Sequence, residues 1–347
     1  MKQKGKVLVT GGCGYIGSHT IVDLIGRGFE VICVDSLINA SDEVLDGIFQ
    51  ITGKEIRNCH TDVSDWACFK KVFEDEPDIL AIIHFAALKS VEESVFHPEA
   101  YYNNNVVGIN NVIRAVHEFS VPHVIFSSSC TVYGNAEKLP VTETTPIKEA
   151  ESPYGATKQI AEIMLSNYYQ HVEGGSCISL RYFNPAGAHE SSLIGESPTT
   201  KASNLVPVIT ETAIGKRDQM TVFGGDYDTR DGTCVRDYIH VMDLAAAHSK
   251  ALSYLIEGKN QDRYEVFNLG IGEGVTVLEA IQAFEKVSQQ SLNYQIGPRR
   301  AGDVVAMYAN KEKSEHFLDW RPARGIEEIM DTAWKWEKAR SGKMKEV

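Results

Sequence analysis

Lys6-Val7-Leu8-Val9-Thr10-Gly11-Gly12-Cys13-Gly14-Tyr15-Ile16-Gly17 passes from a short β-branched strand through a glycine turn into a helix. The helical pattern runs from Ser18 to Arg27, with Ile21, Leu24 and Ile25 on one stripe, and stops at Gly28. A lone set of spaced glycines says little. Between a strand and a helix, Gly11, Gly14 and Gly17 fit a dinucleotide fingerprint. The glycines permit a tight turn, close approach of backbone to a pyrophosphate, and close packing of helix on strand. The helix N-terminus then favours the phosphates.

Further strands follow in alternation with helices. Glu30 to Asp35 is a second strand ending in an acid. Asp35 falls about twenty residues beyond the glycines, where a carboxylate meets the adenosine ribose hydroxyls. It would repel a 2′-phosphate, so NAD is favoured over NADP; a surface acid at a strand end is the plainer reading of Asp35 alone. Glu55 to Asp62 reads as a third strand, and the apolar run Ile79 to Phe85 as a central parallel one. Small residues follow in Ala86-Ala87-Leu88-Lys89, where a cofactor could approach and Lys89 could reach its phosphates. Tyr101 to Phe119 reads as one long helix whose apolar stripe is wide enough for burial on two faces. His123 to Ser128 and Cys177 to Phe183 supply strands five and six. Six strands alternating with helices imply an α/β fold, a Rossmann-type doubly wound parallel sheet. Ligands are then expected at the carboxyl ends of the strands. After Asn184-Pro185 strands become short and Gly and Pro frequent. The expected division is therefore an NAD-binding domain over 1–184, rejoined by part of 234–257, and a smaller α/β substrate domain over 185–347.

Chemistry is concentrated in Ser152-Pro153-Tyr154-Gly155-Ala156-Thr157-Lys158. Ser152 suits a helix N-cap and Pro153 the first helical position. Tyr154 and Lys158, four apart, share a helix face. A phenol titrates near 10, and a neighbouring ammonium favours its anion, so the pair is expected to act as a general base near neutral pH. An ordinary amphipathic helix is the alternative when the pair is taken alone. Ser129, just past the fifth strand, could relay a proton from a substrate hydroxyl to Tyr154, or could simply cap a turn.

The chain of 347 residues carries 34 basic and 47 acidic side chains, a net charge of −13. That argues against affinity for nucleic acid or an anionic membrane. An anionic ligand needs a local cluster of cations, and Arg236 and Arg300 are the candidates, with surface ion pairing as the competing explanation. No apolar run is long enough for a bilayer and no signal peptide is evident, so the cytoplasm is expected. The seven cysteines are dispersed, without a C-x-x-C, and read as reduced thiols. No spacing suggests a metal; His240 and Asp243, three apart at a helix start, read as structural.

Together, Gly11/Gly14/Gly17, Ser129 and Tyr154 with Lys158 resemble the extended short-chain dehydrogenase/reductase family. Within it the chain is similar to the UDP-sugar 4-epimerases over nearly its full length. The similarity is carried by His84-Phe85-Ala86-Ala87-Leu88-Lys89, Ser127 to Gly134, Arg181-Tyr182-Phe183-Asn184-Pro185, Val235 to Asp243, and Arg299-Arg300 with Gly302-Asp303. The resemblance implies an NAD-dependent isomerase of galactose metabolism that interconverts UDP-galactose and UDP-glucose, with NAD retained throughout. It implies that NAD lies on the glycine turn with Tyr15 and Ile16, on Asp35, Ser36, Leu37, Ile38, Asn39 and Ala40, and on Asp62 and Val63. Phe85, Ala86, Ala87, Leu88, Lys89, Asn104, Ser129, Tyr154, Lys158 and Phe183 complete that set. It implies that the UDP-sugar meets Ser129, Tyr154, Asn184, Asn204, Leu205, Thr221, Val222, Phe223, Arg236, Arg300, Asp303 and Met307. Two departures stand out. Ser36 follows Asp35 where an Asn is often found, and Met307 stands where related epimerases usually carry Tyr or a small residue. Methionine there leaves room for some activity on UDP-N-acetyl hexosamines. Dehydratases and decarboxylases of the family carry acids after the threonine equivalent to Thr131; here Val132 and Tyr133 follow it. A homodimer is expected, pairing the Tyr101–Phe119 helix and the Tyr154 helix, through Ile163 and Met164, across a two-fold axis. The rival readings are a net oxidoreductase of nucleotide sugars, which would release NADH, and a non-catalytic NAD sensor, against which the intact Tyr/Lys pair counts.

Overall fold

The computed structural model describes residues 4–199, 201–300 and 303–343; Gly302, quoted above, lies outside them. β1 (Lys6–Thr10) lies inside a parallel sheet, between β2 (Glu30–Asp35) and β4 (Ile79–His84). β3 (Asn58–His60) pairs outside β2, and β5 (His123–Ser129) and β6 (Ser176–Tyr182) follow β4 on the other side. A seventh strand, Tyr264–Leu269, closes that edge against β6. The strand order reverses direction between β1 and β4, which makes a crevice at the carboxyl ends of the strands. This is the doubly wound α/β sheet.

Side-chain alternation along β1 explains the layers. Val7 and Val9 point into a core shared with α1 (Tyr15–Gly26) and the helix Val241–Ile256. Leu8 points into the opposite core, with the helices Trp66–Asp75, Val107–Phe119 and Pro153–His171. Both faces are covered, as a parallel sheet of apolar strands requires.

Three expectations need correction. The sheet has seven strands rather than six. The last comes from 264–269, far beyond the point where the alternation fades, because parallel pairing needs only an apolar strand and a crossover. The third strand is three residues long instead of running from Glu55 to Asp62. The helix expected over Tyr101–Phe119 is interrupted: Tyr102–Val106 forms a π-helical turn before the α-helix resumes at Val107. Such turns recur at functional sites, since the extra residue re-aims side chains.

Beyond β6 the strands are short. Asn184–Ala186 pairs with Tyr238–His240. Val235–Arg236 is flanked by Val275–Thr276 and Ala306–Met307. Met220–Phe223 pairs with Tyr294–Gly297. These pairings join residues 39 to 74 positions apart. No helix among the described residues is long and apolar enough to cross a membrane.

Candidate active site

The glycine turn lies at the mouth of the crevice. Gly11 has φ of +68°, and a Cβ there would come 2.7 Å from the Ala86 nitrogen. A Cβ on Gly17 would collide with the Gly11 carbonyl oxygen, so the helix can lie this close only without one. Gly14 caps α1 with no side-chain bond, and the first turn carries no acid. Its backbone N–H groups are thus presented to an anion.

Around this turn the cofactor candidates converge. Asp35, at the end of β2, accepts from the Cys13 N–H at 3.1 Å and the Leu37 N–H at 2.8 Å. Burial raises its pKa, and the backbone N–H bonds oppose that rise. Each oxygen keeps a lone pair for a hydroxyl donor. Asp62 accepts from the Ser64 N–H and hydroxyl, both at 2.8 Å, while Asn111 donates to the Val63 carbonyl at 2.9 Å. The Ala86 N–H donates to the Thr10 hydroxyl at 3.3 Å. The Leu88 N–H is shared between Asn104 at 3.3 Å and Asn105 at 2.8 Å. Asn105 also donates to the Leu88 carbonyl and to the Thr157 hydroxyl, each at 3.0 Å. Sequence reasoning missed Asn105; its one signal is the Asn103–Asn105 run, which the π-helical turn splits between surface and interior. Ile38 is exposed, and the Ser36 carbonyl is bonded by His60 at 2.9 Å. Tyr15 donates from its hydroxyl to the Gly187 carbonyl at 2.6 Å, tying α1 to the second half of the chain. An adenosine ribose at Asp35 and a pyrophosphate at the glycine turn fit this cradle.

The Tyr154 helix begins as the sequence implies. Ser152 accepts from the Gly155 N–H at 3.1 Å and Pro153 occupies the first turn. Half-buried Tyr154 and buried Lys158 share one helix face, the Lys158 ammonium 5.8 Å from the Tyr154 ring centre. Lys158 donates to the Ser127 carbonyl at 2.7 Å and lies over Phe126. Ser129 ends β5 and caps the next turn by accepting from the Thr131 N–H at 3.2 Å; it therefore fills the capping role and also faces Tyr154. The electrostatics differ from expectation. Burial pushes Tyr154 up to about 12, against the opposing pull of the Ser129 hydroxyl. Lys158 is pushed down to about 7 by the same burial, with Glu162 pulling it back. The cation expected to lower the phenol is itself desolvated and only partly charged near neutral pH, so its pull on the phenol is weak.

On the sugar side, the register places Met307 against Arg236 and Asn184 against Tyr238. Arg236 donates to Asp303 at 3.2 Å and to the Val304 carbonyl at 2.8 Å. Asp237, fully buried, accepts from the Ile271, Gly272 and Ala309 N–H groups and so fixes the loops that flank Arg236. Met307 packs with Phe183, Val132 and Tyr133. Arg300 reaches across to Glu92 at 2.9 Å and stands 5.9 Å from the Phe223 ring centre. Lys89 and Asn204 both turn to the Glu196 carboxylate, at 3.7 and 3.1 Å. Thr221 and Val222 lie with Phe223 on one short strand, and Leu205 opens the helix that Asn204 caps. His240 and Asp243 serve the fold: His240 accepts from the Met242 N–H, and Asp243 holds Arg324.

A family model described as GDP-mannose 4,6 dehydratase matches residues 8–333. A UDP-glucose 4-epimerase of Erwinia amylovora is 46% identical over 333 residues, covering 95% of this chain and 97% of that protein. The chain belongs to the UDP-glucose 4-epimerase family. Two solved epimerase structures agree with this fold from end to end. The UDP-glucose 4-epimerase of Bifidobacterium longum, in complex with NAD+ and UDP, superposes with a TM-score of 0.92 at 41% identity, covering 97% of this chain and 99% of that one. That of Stenotrophomonas maltophila, with NAD and formylated UDP-arabinopyranose, gives 0.94 at 41% identity, over 98% and 99%.

Proposed function

We propose that this chain interconverts UDP-galactose and UDP-glucose at the sugar C4, with NAD as its resident cofactor. The observation that carries this reading is the meeting of Ser129, Tyr154 and Lys158 between the glycine-turn cradle and the Arg236–Asp303 side of the crevice. The turn residues and Asp35 hold the dinucleotide, and Arg236 with Arg300 hold the diphosphate of the sugar nucleotide. NAD, when bound, takes the C4 hydride from the sugar and gives it back. Tyr154 removes the proton of the 4-hydroxyl through Ser129, leaving a 4-keto sugar, and later returns it. Lys158, in its ammonium form, favours the phenolate. The keto sugar turns about its diphosphate, so the returning hydride reaches the other face and no net oxidation results.

Dehydration would require an acid after Thr131. Val132 and Tyr133 stand there, both fully buried, which leaves return of the hydride as the outcome. The division of labour is part of the same reading: 1–184, with the returning segment in 234–257, binds NAD, and 185–347 binds the UDP-sugar. So is a cytoplasmic homodimer, without nucleic-acid partners. The exposed Val95, Phe96, Val107 and Ile163, on the helices around Tyr154, support the dimer. Purified protein incubated with UDP-galactose and no added dinucleotide should form UDP-glucose, and denaturing it should release NAD. Absence of conversion, or release of NADP, would overturn the reading.

A further inference from the structure

The Tyr154 helix carries one charge that the proposed chemistry does not use. Glu162 lies one turn beyond Lys158 and is only 5% exposed. Its carboxylate accepts from the Ser128 hydroxyl at 2.5 Å, from Arg181 Nε at 2.8 Å, and from the Arg181 terminal nitrogen at 2.5 Å. Arg181, equally buried, donates onward to the Tyr133 hydroxyl at 3.0 Å, and Tyr133 donates to Asn268 at 2.6 Å. Ser128 is the immediate neighbour of Ser129, and Tyr133 closes the turn that Ser129 caps. One continuous set of bonds therefore joins the helix, β5 and its following turn, β6 and the edge strand. A buried ion pair adds little net stability over apolar residues of the same size. Its two-pronged geometry does fix distances.

We propose that Glu162 is a positioning residue, whose carboxylate holds the Ser129 turn at its working distance from Tyr154 and Lys158. The inference rests on the roles given above to those three residues. Of the titratable groups near Lys158, Tyr154 and Glu162 share its helix and His84 comes from β4, while Tyr182 of β6 donates to the hydroxyl of Ser127, whose carbonyl accepts from Lys158. Burial keeps His84 neutral by lowering it to about 3, and raises Tyr182 above the usual phenol range. Glu162 is thus the anion that supports a proton on Lys158.

The test compares Glu162→Gln, Ser128→Ala and Tyr154→Phe with wild type, each checked for NAD content and circular dichroism, using UDP-galactose as substrate. Glu162→Gln keeps an acceptor for Ser128 but loses the charge. Its kcat should fall by roughly ten- to a hundredfold, the scale of a small misplacement, with KM unchanged. Its alkaline limb should move down by about one pH unit, the scale of one nearby charge. Ser128→Ala should lower kcat without moving that limb. If Glu162→Gln fails to fold because Arg181 is left unpaired, the double variant Glu162→Gln/Arg181→Met, which has no such cation, should fold and show the same loss of kcat, with a smaller shift because the cation leaves with the anion. Wild-type kcat and pH profile in whichever of the two folds, with Tyr154→Phe inactive, would overturn this proposal alone. Wild-type turnover in Tyr154→Phe would instead overturn the acid–base reading beneath it.

Discussion

Met307→Tyr should separate two substrate pairs that the wild-type chain handles together. Met307 pairs with Arg236 in the short sheet and is 5% exposed among Phe183, Val132 and Tyr133. Phe183 belongs to the cofactor-side candidates and Arg236 to the sugar-side ones, so the thioether fills the seam between them. Methionine can swing aside at small cost; a tyrosine ring held by the same neighbours cannot. Added bulk in a packed site costs about 1–3 kcal/mol, and one group more or less in a substrate pocket is worth about the same, or roughly 10–200-fold. Met307→Tyr should therefore reduce kcat/KM for UDP-N-acetylgalactosamine at least about tenfold relative to UDP-galactose. Met307→Ser should raise that ratio by a similar factor. Because the side chain is buried, the serine variant also leaves a cavity and should lose about 2–5 kcal/mol of stability, read as a lower urea midpoint. The assay is kcat/KM for both substrates in all three proteins. An unchanged ratio in both variants would remove Met307 from the sugar pocket.

Two further outcomes follow from the geometry. Burial holds Lys158 at about 7 in place of 10.5; between those values the unfolded chain binds a proton that the folded chain lacks, so this group makes stability rise with pH over that window and adds no further change below it. Lys158→Met should flatten that rise in urea midpoints taken from pH 7 to 10, and an unaltered slope would contradict the burial of the amine. Sedimentation at micromolar concentration should show a dimer, and Phe96→Glu, at a side chain 71% exposed, should shift it toward monomer; a monomeric wild type would refute the pairing.

Local features were legible in the sequence. The glycine turn needed only its strand and helix neighbours, and the Ser152 cap and the Tyr154–Lys158 face needed only spacing. Features made by distant contacts were not. The edge strand Tyr264–Leu269 looks like any apolar stretch until β6 pairs with it. Two-residue strands such as Val235–Arg236 carry no periodicity, so nothing announced that Met307 lies against Arg236. Glu162 and Arg181 are nineteen positions apart, and each alone resembles a surface charge. Asn105 was hidden because a regular helix would not turn it inward as the π-helical turn does. The expected low pKa of Tyr154 failed for a related reason: spacing shows that a lysine is near, but not that the lysine is itself buried.

Tyr154→Phe, measured beside wild type for bound NAD and for conversion of UDP-galactose to UDP-glucose, bears most directly on the central claim. Only a hydroxyl is removed from a half-buried ring, so fold and cofactor content should be kept. Turnover should fall by at least about a hundredfold, the usual scale for a general base. A variant with full NAD content and the wild-type rate would show that Tyr154 is not the acid–base group of this site.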